Sequence, residues 1–280
     1  MSQPWDRGGD VGWAQGKAWL TIVTLNTRGV PVTGSRLAAR YQAIGETLDA
    51  SDADVVAFQE VFTYWHLWLL ARRKRSFRHV AYRRSVAGPA GGLVTLSRLP
   101  VSGCTYHGFG FPPKAPGVSW LARARGWRKG VLVTQLPVPG VCVVNAHPVP
   151  NRDGDWSPAN RFFPLHQAQL GVVARVAGAV TDPAVVCGDF NVDRNSVLLR
   201  GFLSLTGLAD AFGGQCPATF HAEYLDPPHH PHCIDFILMS PQVSARTTRV
   251  LFGSKQLLQG RREYLSDHVG LYARLLRVPG

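Results

Sequence analysis

The stretch Val185-Val-Cys-Gly-Asp-Phe-Asn-Val-Asp193 decides the fold, because a buried strand ends there in a carboxylate followed by an amide. Ala184 to Cys187 is dense in β-branched and small apolar residues, as in a strand covered on both faces, and Gly188 admits a sharp backbone turn. Residues two apart on an extended chain point the same way. Asp189 and Asn191 can therefore address one small volume, the first as a negative charge or proton acceptor and the second as a neutral hydrogen-bond donor. Alone, the tetrapeptide also reads as a turn, since Gly, Asp and Asn are common turn formers. The other strand ends separate the two readings.

Working outward, residues 20–26 alternate as a strand that breaks at Asn26 and Gly29, and Leu37, Tyr41, Ile44 and Leu48 follow at helical spacing within 35–50. Residues 54–58 form a short buried strand ending in Gln59-Glu60. Residues 91–96 are a further strand. Residues 129–136 and 141–147 read as a hairpin turning through 137–140, and its second strand ends in Asn145-Ala-His147. Helices are predicted over 160–180 and 196–206, on either side of the central strand. A strand over 233–238 carries Asp235 among apolar residues, and Ser266-Asp267-His268 precedes a last strand over 269–276. Two packed sheets with helices outside would bury these runs on both faces.

Three segments have two readings each. Residues 64–84 begin apolar and aromatic and continue into Arg72-Arg-Lys-Arg75, as an amphipathic helix with a solvated basic end or as a membrane-contact helix. Residues 106–127 form a loop rich in aromatics, Pro and Gly, with Lys114, Arg123 and Arg125, either a substrate or interface surface or a cover over the sheet edge. His221, His229, His230 and His232 lie in a proline-rich loop over 213–233, whose irregular spacing favours a solvated loop over a metal site.

A chain of 280 residues with 45% hydrophobic and 17% charged residues is globular rather than disordered. No internal repeat or linker divides it, which predicts a polar N-terminal tail over 1–18 and a single domain over 19–280. The net charge of +12 predicts attraction to polyanions or anionic lipid surfaces, although Arg beside many Ala, Gly and Pro is also what a compositional bias would produce. The five cysteines have no CxxC spacing and read as reduced core residues. Residues 1–17 lack the apolar core of a signal peptide, and no apolar run approaches the ~20 residues of a membrane span. A cytoplasmic protein, at most peripheral to a membrane, with no stable protein partner is the expectation.

Six strand ends or strand-adjacent turns thus present Asn26, Glu60, Asn145 with His147, Asp189 with Asn191, Asp235, and Asp267 with His268. Each would cost desolvation unless they converge on something. Glu60 and Asp267 offer hard oxygen ligands which, with Asn26 and water, suit Mg²⁺, with Mn²⁺ as a substitute. His268 and Asp235 can form a charge-oriented imidazole, and His147 and Asn191 can bind phosphate oxygens.

In this order the motifs resemble the endonuclease/exonuclease/phosphatase superfamily, over residues 20–276. The resemblance rests on Leu-Asn26, Gln59-Glu60, Asn145-Ala-His147, Gly188-Asp189-Phe-Asn191, Ile234-Asp235-Phe-Ile-Leu and Ser266-Asp267-His268. It implies a DNase I-like α/β/β/α sandwich of two packed mixed sheets flanked by helices, and Mg²⁺-dependent hydrolysis of a phosphoester by water. It further implies that Glu60, assisted by Asn26, holds the metal, with Asp267 near that metal or a second one. Asp189 would orient or deprotonate the attacking water, Asn191 and His147 would contact the scissile phosphate, and His268 paired with Asp235 would stabilise the phosphorane. Within the superfamily, Leu25-Asn26-Thr-Arg-Gly29-Val-Pro31, Glu60-Val61, Lys129-Gly130 and Asn145-x-His147 are similar to the neutral sphingomyelinase branch, which adds Lys129 and Asn145 as substrate-binding residues. The chain departs from that branch at Ala146, where Thr is usual, and no run within its 280 residues is expected to correspond to the C-terminal membrane helices of the branch's eukaryotic members. The implied partner is a phospholipid membrane surface, touched by residues 64–75 or 109–127, or alternatively a nucleic acid cleaved by the same chemistry. A non-catalytic binding module on the same fold is disfavoured, because every expected catalytic position holds the expected residue type.

Overall fold

Leu20, Ile22 and Thr24 alternate with Val23 and Leu25 along the first strand, and all five are buried. The first set faces a second sheet, while Val23 and Leu25 pack beneath helices. That two-sided burial explains why the strand is apolar throughout. The computed structural model describes residues 19–30, 36–72, 76–111, 113, 115–227 and 229–278, so the tail over 1–18 and Arg73, Lys74, Arg75 and Lys114 lie outside the described residues.

In chain order the elements are β1 (Leu20–Asn26), α1 (Leu37–Asp49), β2 (Val55–Gln59), α2 (Tyr64–Ala71), β3 (His79–Ala81), β4 (Val94–Ser97), β5 (Gly103–Gly108), α3 (Trp120–Trp127), β6 (Gly130–Leu136), β7 (Val141–Ala146), α4 (Phe163–Gly178), β8 (Ala184–Asp189), α5 (Val197–Thr206), β9 (Ala209–Asp210), β10 (Asp235–Met239), β11 (Val243–Leu251), β12 (Gln256–Leu258), β13 (Arg261–Glu263) and β14 (Gly270–Arg277). The strands form two mixed six-stranded sheets, ordered β11-β14-β1-β2-β4-β3 and β5-β6-β7-β8-β10-β9, with β12 and β13 as a separate hairpin. Helices α1 and α2 cover the outer face of the first sheet, with Tyr41, Ile44, Leu69 and Leu70 against Val23, Leu25 and Val56. Helices α4 and α5 cover the second, through Leu170, Val173 and Phe202. The result is the expected four-layer α/β/β/α sandwich.

Register carries the functional groups to one end. β1 and β2 are parallel with Asn26 beside Gln59, and β7 and β8 are parallel with Ala146 beside Gly188. β10 runs antiparallel to β8 and sets Asp235 directly opposite Asp189. Three of these turns hold a non-glycine residue in the left-handed region: Arg28 (φ 50°), Glu60 (φ 64°) and Asn191 (φ 53°). Such backbone strain is retained where surrounding contacts over-determine it.

Gly188 has φ 134°, and a Cβ there would stand 2.0 Å from the Ala146 carbonyl oxygen of the neighbouring strand. Gly188→Ala should therefore destabilise the domain by about 3–5 kcal/mol through overpacking and strain. Thermal unfolding monitored by circular dichroism checks this, with an expected drop in Tm on the order of 10 °C.

Two expectations shift. The loop predicted over 106–127 contains the end of β5 and helix α3, because the Ser119 hydroxyl caps the helix by accepting from the Ala122 amide (3.3 Å) and 120–125 is rich in helix formers. The helix predicted from residue 64 stops at Ala71, and the Ser76 amide then donates to the Asp49 carboxylate (2.9 Å) as the chain turns toward β3. Strands β11 to β13 lack an apolar alternation, since β11 is an edge strand whose side chains are mostly half-buried or exposed.

Candidate active site

Asn26 and Asp189 end central strands of opposite sheets and meet across the sandwich, the Asn26 amide donating to Asp189 Oδ2 at 2.9 Å. The Asn191 backbone amide donates to Asp189 Oδ1 at 2.9 Å, so both carboxylate oxygens are fixed. His268 Nε2 lies 3.7 Å and His147 Nε2 3.4 Å from Asp189 Oδ2, and His147 Nε2 is also 3.9 Å from Glu60 Oε1. His268 Nδ1 is 2.8 Å from Asp235 Oδ2. Lys129, although buried, reaches His147 Nε2 at 2.6 Å and the Pro148 carbonyl at 3.0 Å. The Asn191 side-chain amide donates to the same Pro148 carbonyl at 3.2 Å. Asn26, Glu60, Lys129, His147, Asp189, Asn191, Asp235 and His268 thus share one volume at the end of the two sheets.

Asp267 joins from the β14 side, 3.6 Å from Arg28 Nε, with the Ser266 hydroxyl 3.2 Å from its Oδ1. Asn145 does not join. Its amide group is consumed between the sheets, accepting from Gln59 Nε2 at 2.8 Å and donating to the Phe58 and Val94 carbonyls at 2.9 and 3.3 Å. The substrate-binding role expected of Asn145 is replaced by that of a cross-sheet tie, because β7 directs its side chain into the sandwich rather than beyond the strand end. Asn145→Ala should lower stability by about 2–4 kcal/mol, since it orphans buried partners, while leaving the KM of the folded fraction unchanged; chemical unfolding and steady-state kinetics check the two halves.

Burial alone would discharge His268, but the carboxylates of Asp235, Asp189 and Asp267 outweigh it and raise the imidazole pKa to about 10. With several carboxylates around one imidazole, the proton resides on His268. The stabilisation from this ion pair is complete below the unfolded histidine value and fades as pH rises through about 10. Burial likewise opposes the charge on Asp189, yet His268, His147 and Lys129 hold that carboxyl well below the usual carboxylate range. His147 is pushed down to about 4 by burial and then by Lys129, so it is neutral near pH 7. Burial lowers Lys129 to about 8, with Glu60 and Asp189 resisting. Glu60 is raised by burial, pulled back by Lys129, and raised again by the charges of Asp267 and Asp189.

The surroundings of Glu60 fit a hard divalent cation. Its carboxylate lies on a strained turn among other acidic oxygens whose mutual repulsion a cation would relieve. A Cβ on Gly29 would stand 1.7 Å from the Glu60 carbonyl oxygen, so a glycine there is what allows the two turns to cross and present Asn26 beside Glu60. Asp189, Asp235 and His268 also bring ligand atoms within 4.8 Å of one another. That trio is partly neutralised by the charge on His268, whose Nδ1 donates to Asp235, so it reads as a hydrogen-bonded relay.

Several contributors carried no signal in the sequence beyond residue type. Arg28 lies 4.1 Å over the Tyr224 ring beside Asp267. Phe220 meets the His268 ring edge-on at 4.9 Å, and the Thr219 hydroxyl accepts from the Asp235 amide at 3.1 Å. Trp156 Nε1 donates to the Asn191 carbonyl at 2.8 Å, and Asp193 is 3.1 Å from His232, which packs against Trp156 at 4.7 Å. Part of the histidine-rich loop is therefore anchored to the site rim. His221 stacks on Tyr264 at 3.7 Å, while His229 and His230 are exposed.

The profile of the Endonuclease/Exonuclease/phosphatase family matches residues 23–268. The chain belongs to that family. Like the other phosphoric ester hydrolases of the endonuclease/exonuclease/phosphatase family, it is an enzyme of that class. It is 26% identical over 205 residues to the "Putative neutral sphingomyelinase" of Drosophila melanogaster, which covers 69% of this chain and 43% of the relative, so the chain spans less than half that protein's length. By structure it is similar to D. rerio TDP2 complexed with single strand DNA product (TM-score 0.69, 19% identity, 92% of this chain and 98% of that one). It is similar also to a Staphylococcus aureus beta toxin variant with bound magnesium ions (TM-score 0.66, 18% identity, 91% of this chain and 99% of that one). At these identities the structural likenesses establish the fold.

Proposed function

We propose that this chain is a divalent-cation-dependent phosphodiesterase acting on a phospholipid of the sphingomyelin kind. The observation that carries the reading is His268, paired with Asp235 at 2.8 Å and set 3.7 Å from Asp189 where the two sheets meet. Glu60, with the Asn26 amide and Asp267, would hold Mg²⁺ or Mn²⁺, which when bound supplies Lewis-acid stabilisation of charge on a phosphoryl oxygen. Asp189, fixed as a carboxylate through both oxygens, orients and polarises the attacking water. The Asn191 amide and neutral His147 contact the scissile phosphate, and Lys129 brings a positive charge against His147. The His268 imidazolium stabilises the negative charge that builds as the fifth oxygen bonds to phosphorus.

The lipid substrate is supported by the Drosophila sphingomyelinase likeness and by the basic, aromatic surface near the site. A second reading, cleavage of a nucleic-acid phosphodiester, is favoured by the fold shared with DNA-bound TDP2 and by the net charge of +12. Offering the enzyme sphingomyelin vesicles and supercoiled DNA with Mg²⁺, beside a His268→Ala control, separates the two. Release of phosphocholine by the wild type alone is expected, and cleavage of DNA alone would overturn the lipid reading.

A further inference from the structure

From Val61 to Arg152 the chain carries 14 Lys and Arg residues and no Asp or Glu, while the rest of the sequence sums to −2. The positive charge of the protein therefore belongs to one third of its length, the third that contains α2 and α3. The same third exposes Phe111 (81%), Trp120 (71%), Trp127 (56%) and Leu121 (51%), all on or beside α3, with Arg125 and Arg128 exposed among them. The Phe111 and Trp127 rings are 6.4 Å apart, and the Arg123 guanidinium lies 6.0 Å from the Phe111 ring. Phe109, by contrast, is buried and anchors the segment.

Strand direction fixes where this patch lies. β7 ends at the active site with His147, and β6 is antiparallel to it, so β6 begins at that end. Helix α3 leads straight into β6 through Arg128 and Lys129, and Lys129 is itself within the site. Tyr106 ties β5 to this junction by donating to the Arg128 carbonyl at 3.2 Å. The turn before β4 lies at the same end, because the Val61 amide, one residue beyond Glu60, donates to the Gly92 carbonyl at 2.9 Å. That turn carries the fully exposed Val86 and is held to α2 by the Tyr64 hydroxyl donating to the Ser85 carbonyl at 2.7 Å.

We propose that the face led by α3, built from this acid-free segment, seats on an anionic phospholipid bilayer and presents the active-site mouth to lipid headgroups. Tryptophans that are half-exposed or more belong at the headgroup level of a bilayer, and arginines beside them meet the lipid phosphates. Aromatic rings could instead stack on bases, but Leu121 and Val86 have no π-face to stack and gain only by entering an apolar medium. The inference rests on the phospholipid reading of the site.

The test uses the full chain and cosedimentation with vesicles of phosphatidylcholine alone, or of phosphatidylcholine and phosphatidylserine in equal parts. Arg125→Gln with Arg128→Gln should cut partition onto the anionic vesicles roughly 30-fold and barely alter the zwitterionic ones. Trp120→Ser with Trp127→Ser should cut both by about tenfold or more. Circular dichroism and hydrolysis of soluble bis(p-nitrophenyl) phosphate should be unchanged in both variants. Wild-type partition onto the anionic vesicles that is absent, or that the variants retain, overturns the docking face. So does loss of binding to a single-stranded oligonucleotide while vesicle binding persists. Variant-sensitive vesicle binding by an enzyme that cleaves DNA and no lipid leaves the face standing and removes the proposed substrate.

Discussion

His268→Ala should leave the fold intact and lower kcat by about three orders of magnitude, because on the proposed mechanism it removes the cation that would meet the developing phosphorane charge. Asp235→Asn isolates the cause. Without the Asp235 carboxylate at 2.8 Å, the His268 pKa should fall from about 10 toward the ordinary histidine value. On the proposed mechanism this imidazole must be protonated, so the alkaline limb of the pH–rate profile should move to lower pH, and kcat at neutral pH should fall about fourfold once the pKa reaches the ordinary histidine value. Imidazole NMR across pH, read beside the rate profile, checks both. A pKa for His268 that stays near 10 in the Asn variant would assign the raised value to Asp189 instead.

Glu60→Gln should reduce kcat by about 10²–10³-fold at a fixed, modest Mg²⁺ concentration, because the anionic ligand proposed for the cation is exchanged for a neutral amide of the same shape. The effect should be visible without catalysis. A cation that binds only the folded state raises Tm with concentration, and in the Gln variant that rise should need much more Mg²⁺. The variant without metal should be no less stable than the wild type, since burial and the charges of Asp267 and Asp189 already raise the Glu60 pKa. A metal-induced Tm shift identical in the two proteins would move the cation to other ligands.

The chain order of polar strand ends was legible because each functional group follows a run of apolar residues that can only be a buried strand. Asp189, Asn26, Glu60, His147 and His268 could therefore be placed at strand ends from the sequence, and the packing of the two sheets brings them together. The role of Asn145 was not, because strand-end position does not say whether a side chain points past the sheet or into the gap between sheets, where the Gln59 amide captures it. Helix α3 was hidden by the Pro and Gly density around it, which local helix propensity and the Ser119 cap override. Arg28, Phe220 and Trp156 come to the site from turns and loops, where no periodicity marks direction. Their partners Tyr224, His268 and Asn191 are distant in sequence, and only the packing of the two sheets brings them together.

Hydrolysis of bis(p-nitrophenyl) phosphate by the full chain, followed after chelation and again after Mg²⁺ is restored, in the wild type and in Asp189→Asn, tests the central claim most directly. The diester needs no membrane and no nucleic acid, so it reads the strand-end centre alone. Wild-type activity should vanish with chelator and return with Mg²⁺, and the Asn variant should remain about 10³-fold slower throughout. Hydrolysis that survives chelation, or an Asp189→Asn enzyme as fast as the wild type, would contradict it.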